Sequence, residues 1–243
     1  MFLCKFFVTL ILAVTLVQSQ PIPQENGALP TFGELLKRHN IQLTRSALVD
    51  ALRNTDPEVR DLAANKLAED KAVETITAIK DALASEKVPW TRMNIALALA
   101  GMGESIGFDT LEDNCKNKGT SGAIRTRSAE YLLRFNRHST ACLSGVLDLL
   151  KGGSNGDRIA AAELLPKYRN VSKEDSETVF TGLVEALHSS DPAMRMAAGQ
   201  GLADLGDARG IAELERAIAG DQEQVVCSRL EEDLGILRNK IRQ

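Results

Sequence analysis

The stretch Asp191-Pro192-Ala193-Met194-Arg195-Met196-Ala197-Ala198-Gly199-Gln200-Gly201-Leu202 decides the fold, because the chain has already spelled it once. The earlier copy runs Asp56-Pro57-Glu58-Val59-Arg60, through Ala63-Ala64, to Leu67. Fainter copies lie between them. Arg60, Arg92, Arg125, Arg158 and Arg195 stand 32, 33, 33 and 37 residues apart. Four residues after each comes a very small side chain: Ala64, Ala96, Ala129, Ala162 and Gly199. Seven after each comes a leucine: Leu67, Leu99, Leu132, Leu165 and Leu202. Proline precedes three of the arginines by three places, at Pro57, Pro89 and Pro192. A period near 33 marks a stack of repeats, each too small to bury its apolar face without the next.

Each column has a physical reason. Asp56, Val88, Ser121, Ser154 and Asp191 precede the arginines by four, and four of the five can accept an orphan N–H at a helix start. Proline follows in the first helical slot, where its missing N–H costs nothing. The +4 and +7 residues share one helix face, and Ala or Gly at +4 admits a close neighbour. The column arginine itself is expected to bond carboxylates and loop carbonyls between adjacent repeats rather than to form a row of anion ligands. The reading predicts outer helices near 43–53, 72–84, 104–115, 140–151, 173–188 and 208–219. Inner helices are expected near 57–69, 90–101, 122–135, 156–168, 192–205 and 222–240. In a sixth, degraded copy Cys227 takes the arginine slot and Leu234 keeps the leucine. Thr31 and Glu34 form a capping-box pair that predicts a short helix over 31–39, covering the open end of the first repeat.

The beginning of the chain reads differently. Lys5 precedes the run Phe6 to Val17, apolar but for Thr9 and Thr15, and Val17-Gln18-Ser19 puts small residues where a signal peptidase reads. The run is short for a membrane span and has a secretory layout. Residues 1–19 are therefore expected to be a cleaved signal, 20–30 a flexible leader with three prolines, and 31–243 the repeat domain. That predicts an extracytoplasmic protein, secreted or periplasmic, with no membrane insertion after cleavage. Cys115, Cys142 and Cys227 would remain. Cys115 ends one outer helix and Cys142 opens the next, so they should lie at opposite ends of parallel neighbours. No bridge is expected, and all three are read as small buried apolar residues. Asn170-Val171-Ser172 is a glycosylation sequon.

The repeat motifs resemble those of the HEAT-repeat superfamily. Asp191 to Ala198, continuing through Leu205-Gly206-Asp207-Ala208-Arg209-Gly210-Ile211, is similar to the short HEAT-like repeats of phycobilisome lyase subunits. The resemblance covers about 43–240 and implies an all-α solenoid of about six helix pairs with an N-terminal capping helix. It also implies a scaffold or adaptor function, since family members are chiefly of that kind. Among enzymatic branches, the deoxyhypusine hydroxylases carry His-Glu pairs, which this chain lacks, having only His39, His138 and His188. The bilin lyases work inside cells, at odds with a secretory signal.

Nothing else in the sequence spells catalysis. HExxH, P-loop and CxxC patterns are missing. His138 and Cys142 stand four apart but have no third orienting group in view, and Lys116 to Gly122 reads as a solvated turn rather than a phosphate cradle. No cofactor and no metal are expected, and the chain is read as a non-enzyme. Its formal charge of −4, without a basic block, argues against nucleic acid. The expected partner is a protein or extended peptide, bound by a monomer along the inner helices. The −2, +1 and +5 columns should face it. Trp90, Met93 and Leu97 form an apolar stripe at helical spacing, with Ile159 and Met196 further along and Glu130, Glu163 and Glu232 as an acidic rim for a basic end. Packing of Trp90 and Met93 inside the fold is the competing reading. The runner-up function is a non-catalytic accessory subunit of an envelope or secreted enzyme complex.

Overall fold

A computed structural model describes residues 29–168 and 172–243. The signal-like segment, the sequon asparagine Asn170 and all of the leader except Leu29 and Pro30 lie outside the described residues. The first helix, α1 (Phe32–Arg38), starts where Thr31 and Glu34 predict it, with both bonds of the capping box formed.

Six helix pairs follow. The outer layer is α2 (Arg45–Ala51), α4 (Ile76–Ser85), α6 (Ser105–Lys116), α8 (Thr140–Gly152), α10 (Lys173–Leu187) and α12 (Gly210–Gly220). The inner layer is α3 (Pro57–Glu69), α5 (Pro89–Gly101), α7 (Gly122–Arg134), α9 (Asn155–Leu164), α11 (Pro192–Leu205) and α13 (Gln224–Ile241). Each inner helix packs on the next, and α1 packs on α3. Among the described residues no helix is long and apolar enough to cross a membrane.

The leucine and small-residue columns form the seam between the layers. Leu67, Leu99 and Leu202 are wholly buried, as are Ala64, Ala96, Ala129 and Ala162. Burying one such leucine stabilises the fold by roughly 1.5–3 kcal/mol, so the repeated column is a large share of the core. Helix starts follow the predicted chemistry at Asp56, Ser154 and Asp191, whose side chains accept from Glu58, Asp157 and Ala193 N–H. Ser121 makes no such bond. There the Asp157 carboxylate presses on Gly122, so closely that a Cβ at Gly122 would lie 2.1 Å from Asp157 Oδ1. Two boundaries depart from expectation. The outer helix expected over 72–84 begins at Ile76, after a 3-10 turn over Val73–Thr75. α9 ends at Leu164 and continues only as a 3-10 turn over Leu165–Lys167, because Pro166 has no N–H for the next helical bond.

Three of the column arginines, Arg60, Arg125 and Arg195, tie one repeat to the next. Arg60 donates to both oxygens of Glu86, at 2.6 and 2.9 Å, and to the carbonyls of Asn54 and Thr55. Arg195 repeats the pattern with Asp221, Glu223, Ser189 O and Ser190 O. Arg158 donates to Leu150 O. Arg125, 5% exposed, donates to Cys115 O and Gly145 O. Glu86 is 1% exposed at its side chain and also accepts the N–H groups of Lys87 and Val88 ahead of α5. The Arg60 guanidinium holds its carboxyl below the usual range.

Cys115 and Cys142 form a disulfide, contrary to expectation. α6 and α8 do run parallel, as Glu112–Ser139 and Lys118–Asp148 contacts on either side of the bridge show. What separates the structure from the expectation is the axial stagger of the two helices. The helices begin at Ser105 and Thr140, but partners across the contact are 27 residues apart. α8 is therefore displaced along α6 by about two turns, on the order of 12 Å, and its first turn lies beside the last turn of α6. Gly145 permits the approach, since a Cβ there would stand 2.3 Å from Cys115 O. Cys227 is buried and lies outside the bridge, its Sγ near Asp221 O and Ile218 O.

Candidate partner-binding groove

A groove of about 540 Å³ crosses the inner layer over α5, α7 and α9. Its walls include Trp90, Arg127, Glu130, Asp157, Glu163 and Lys167, and Ala123, Gly156 and Ala160 are its small lining residues. Of the residues singled out in the sequence, Trp90, Glu130 and Glu163 come together here. Trp90 is 44% exposed. It sits at the second position of α5, after Pro89, and so projects from the open end of the helix. Glu163 is exposed, while Glu130 is half-buried.

Of the +1 column only the buried Thr126 borders this groove, and Met93, Ile159 and Met196 lie outside it. Met93 is wholly buried and is removed from the binding stripe. At about 100° per residue, −2 and +5 point nearly the same way, whereas +1 is turned toward the core side of them. It therefore lies on the flank, where inner helices pack on one another. Thr126 is buried in the same slot, and Ile159 and Met196 are half-buried against the core. Leu97 is half-buried and, like Ile159 and Met196, outside the groove lining.

The groove edge is also not simply acidic. Arg127 and Arg134 hold Glu130 at 2.8 and 2.9 Å, and Lys167 stands near Glu163 along the lining. Arg127, at the +2 position of its repeat, is legible in the sequence as the i, i+3 partner of Glu130. Tyr131 lies under both guanidinium groups, 6.0 and 5.5 Å from its ring centre. Toward the first repeat, Asp61 on α3 accepts from Asn65 and, across the helix contact, from Asn94 on α5, each at 2.6 Å. Burial pushes the Asp61 carboxyl up to about 6 against the pull of these amides.

Other candidate chemistry resolves into structure. Cys142 is tied up in the disulfide, so its pairing with His138 offers no thiolate. The 116–122 loop is an Asx-type turn in which Asn117 Oδ1 accepts from Gly119 N–H, and the Asp157 carboxylate at Gly122 opposes any anion there. His39, Asp56 and Glu58 form one group of potential metal-ligand atoms, all within 4.8 Å. Each imidazole nitrogen faces a different carboxylate, Nδ1 at 3.7 Å from Asp56 and Nε2 at 3.8 Å from Glu58. A single ion takes only one nitrogen of a histidine, so the arrangement is that of a bridge from the end of α1 to the start of α3.

Comparison with known proteins agrees with this architecture. HEAT repeats match residues 44–134 and 143–235. Curated proteins give no match. Similar solved structures include human deoxyhypusine hydroxylase in complex with glycerol, at 20% identity, covering 86% of this chain and 77% of that one, with TM-score 0.43. An engineered protein is 20% identical over 79% of this chain and 96% of its own, TM-score 0.48. The complex of CpcE and CpcF of phycocyanin lyase from Nostoc is 18% identical over 90% and 99%, TM-score 0.34. These likenesses concern the fold. Because a hydroxylase and a lyase stand among them, the expectation that the chain is not an enzyme is withdrawn. The matched segments cover most of the chain, and it belongs to the HEAT-repeat family.

Proposed function

We propose that this HEAT solenoid is a protein-binding scaffold of an extracytoplasmic compartment, and that it takes an extended peptide across its inner layer at Trp90. The observation that carries the reading is the exposed indole at the mouth of a groove whose remaining walls come from the next two inner helices. A half-exposed tryptophan beside a cleft is an anchor in waiting, since aromatic residues at such places dominate interface energetics. Ala123, Gly156 and Ala160 leave room for a peptide main chain. Arg127 and Lys167 line the groove together with Glu130, Asp157 and Glu163, so its edges favour a segment carrying both charges over a polyanion. Residence outside the cytoplasm is supported by the secretory layout of residues 1–19 and by the buried disulfide, since such bonds persist in oxidising compartments.

Site-specific photo-crosslinking in the native host tests the groove. Gly156 lines it, and Gly152, the last residue of α8, serves as control; a Cβ at either meets nothing within 4 Å. The expected result is a defined adduct from position 156 that disappears in Trp90→Ala and does not form from position 152. The same adducts from both positions, or an adduct indifferent to Trp90→Ala, would remove the groove from the account.

A further inference from the structure

Among the described residues, a buried carboxylate without a hydrogen-bond partner lies in α13, far along the chain from Trp90. Asp233, in the middle of α13, has no solvent exposure, and neither carboxylate oxygen has a hydrogen-bond partner. Its nearest cation is Arg229, one turn back, with Nε 3.5 Å from Oδ1, a charge contact too long to be a hydrogen bond. That guanidinium is also drawn off by Gln200 on α11 and by Glu232. Across the contact Asp233 faces Gly199 of α11, where a Cβ would stand 3.1 Å from Oδ2. The charges acting on it are Arg229 and Glu232 of its own helix and Asp204 of α11. α12, the other helix packed on α13, brings Leu214 to the same place.

An ionised carboxylate in such a place is costly, and its neutral acid much less so. Of the inner helices α13 packs on α11, so the contact that Asp233 sits in is the one that holds it in the inner layer. We propose that Asp233 is a proton-operated latch for the C-terminal helix: protonated, it lets α13 dock fully on α11, and ionised, it loosens that contact. Burial raises the Asp233 carboxyl from 3.8 to about 6. The folded state therefore binds the proton more tightly than the opened one. Docking is strongest below the unfolded value and weakens as pH rises toward and through 6. Because α13 carries the exposed Val225 and Glu232 in its −2 and +5 positions, opening would change that end of the inner layer. The latch does not depend on what occupies the groove at Trp90.

Hydrogen–deuterium exchange of the whole chain at pH 5.0 and 7.5, corrected for the intrinsic pH dependence of exchange, tests this. Peptides from α13 are read against peptides from α8, which carries neither Asp61 nor Asp233 nor a partner of either. With the shift above, the opening constant of α13 is expected to rise about tenfold between the two pH values while α8 stays level. In Asp233→Asn, which keeps the shape but cannot ionise, α13 should be protected equally at both. Equal wild-type protection at both pH values would overturn the proposal, as would the same tenfold change in Asp233→Asn. Should that variant not fold, the wild-type comparison decides alone.

Discussion

Removing the Cys115–Cys142 bridge should cost more than any packing contact of similar size. The bond joins residues 27 apart in sequence, and in the chain-entropy picture closing such a loop in the unfolded state is worth about 3.5 kcal/mol. Both cysteines are essentially unexposed, so Cys115→Ala/Cys142→Ala keeps the site apolar and leaves mainly the loop term. Either single substitution already breaks the bond. The two singles and the double should therefore lose similar amounts, giving a coupling energy nearly as large as the whole effect. Urea denaturation followed by circular dichroism measures this. The m-value should rise in the variants as the unfolded chain expands. Losses below about 1 kcal/mol, or additive singles, would show that the two thiols are not paired and that the stagger of α8 on α6 is misread.

Three further outcomes follow from neighbouring geometry. Arg60→Ala strands the buried Glu86 carboxylate and should lose about 3–5 kcal/mol in the same denaturation assay, with Glu86→Gln recovering part of it when combined. Gly145→Ala drives a methyl into Cys115 O and should lose about 1–3 kcal/mol or more, whereas Gly156→Ala, in open space on a helix, should change stability by less than about 1 kcal/mol. Stability against pH should carry two opposed signatures. Glu86 and Asp221 have lowered carboxyls, so their contribution is complete above the ordinary carboxylate pKa and is lost as pH falls through their folded values. Asp61 and Asp233, each raised to about 6, act oppositely, their contribution fading as pH rises from about 4 through 6. Thermal unfolding from pH 3 to 8 should thus show a maximum on the acid side of neutrality, absent in Asp61→Asn/Asp233→Asn.

The repeat register was legible because it is written in several columns at once. Leucine, small residue, arginine and cap each recur with one period, and a wrong phase would have broken all four. Arg60 and Arg195 took the structural role their column implied. What escaped the sequence was displacement rather than type. The slide of α8 along α6 leaves no periodic trace, so the bridge between Cys115 and Cys142 was invisible, although Gly145 marks where backbones meet. Pro166 was visible and should have shortened α9. Met93 failed as a surface residue because apolar spacing along one helix does not distinguish a flank packed on a neighbour from a face open to solvent. Trp90 differs only by sitting at the helix start. Asp233 carried no signal, since an acidic residue in a terminal helix reads as solvated until Gly199 is seen opposite it.

Trp90 is the only tryptophan in the chain, so its fluorescence reports the groove and nothing else in this protein. Titrating the protein with the purified partner captured from position 156, or with a tryptophan-free segment of it, is the most direct test of the groove. The account predicts a saturable blue shift of the emission as the exposed indole is covered. Binding that leaves the emission unchanged would place the partner elsewhere on the solenoid and contradict the proposed site.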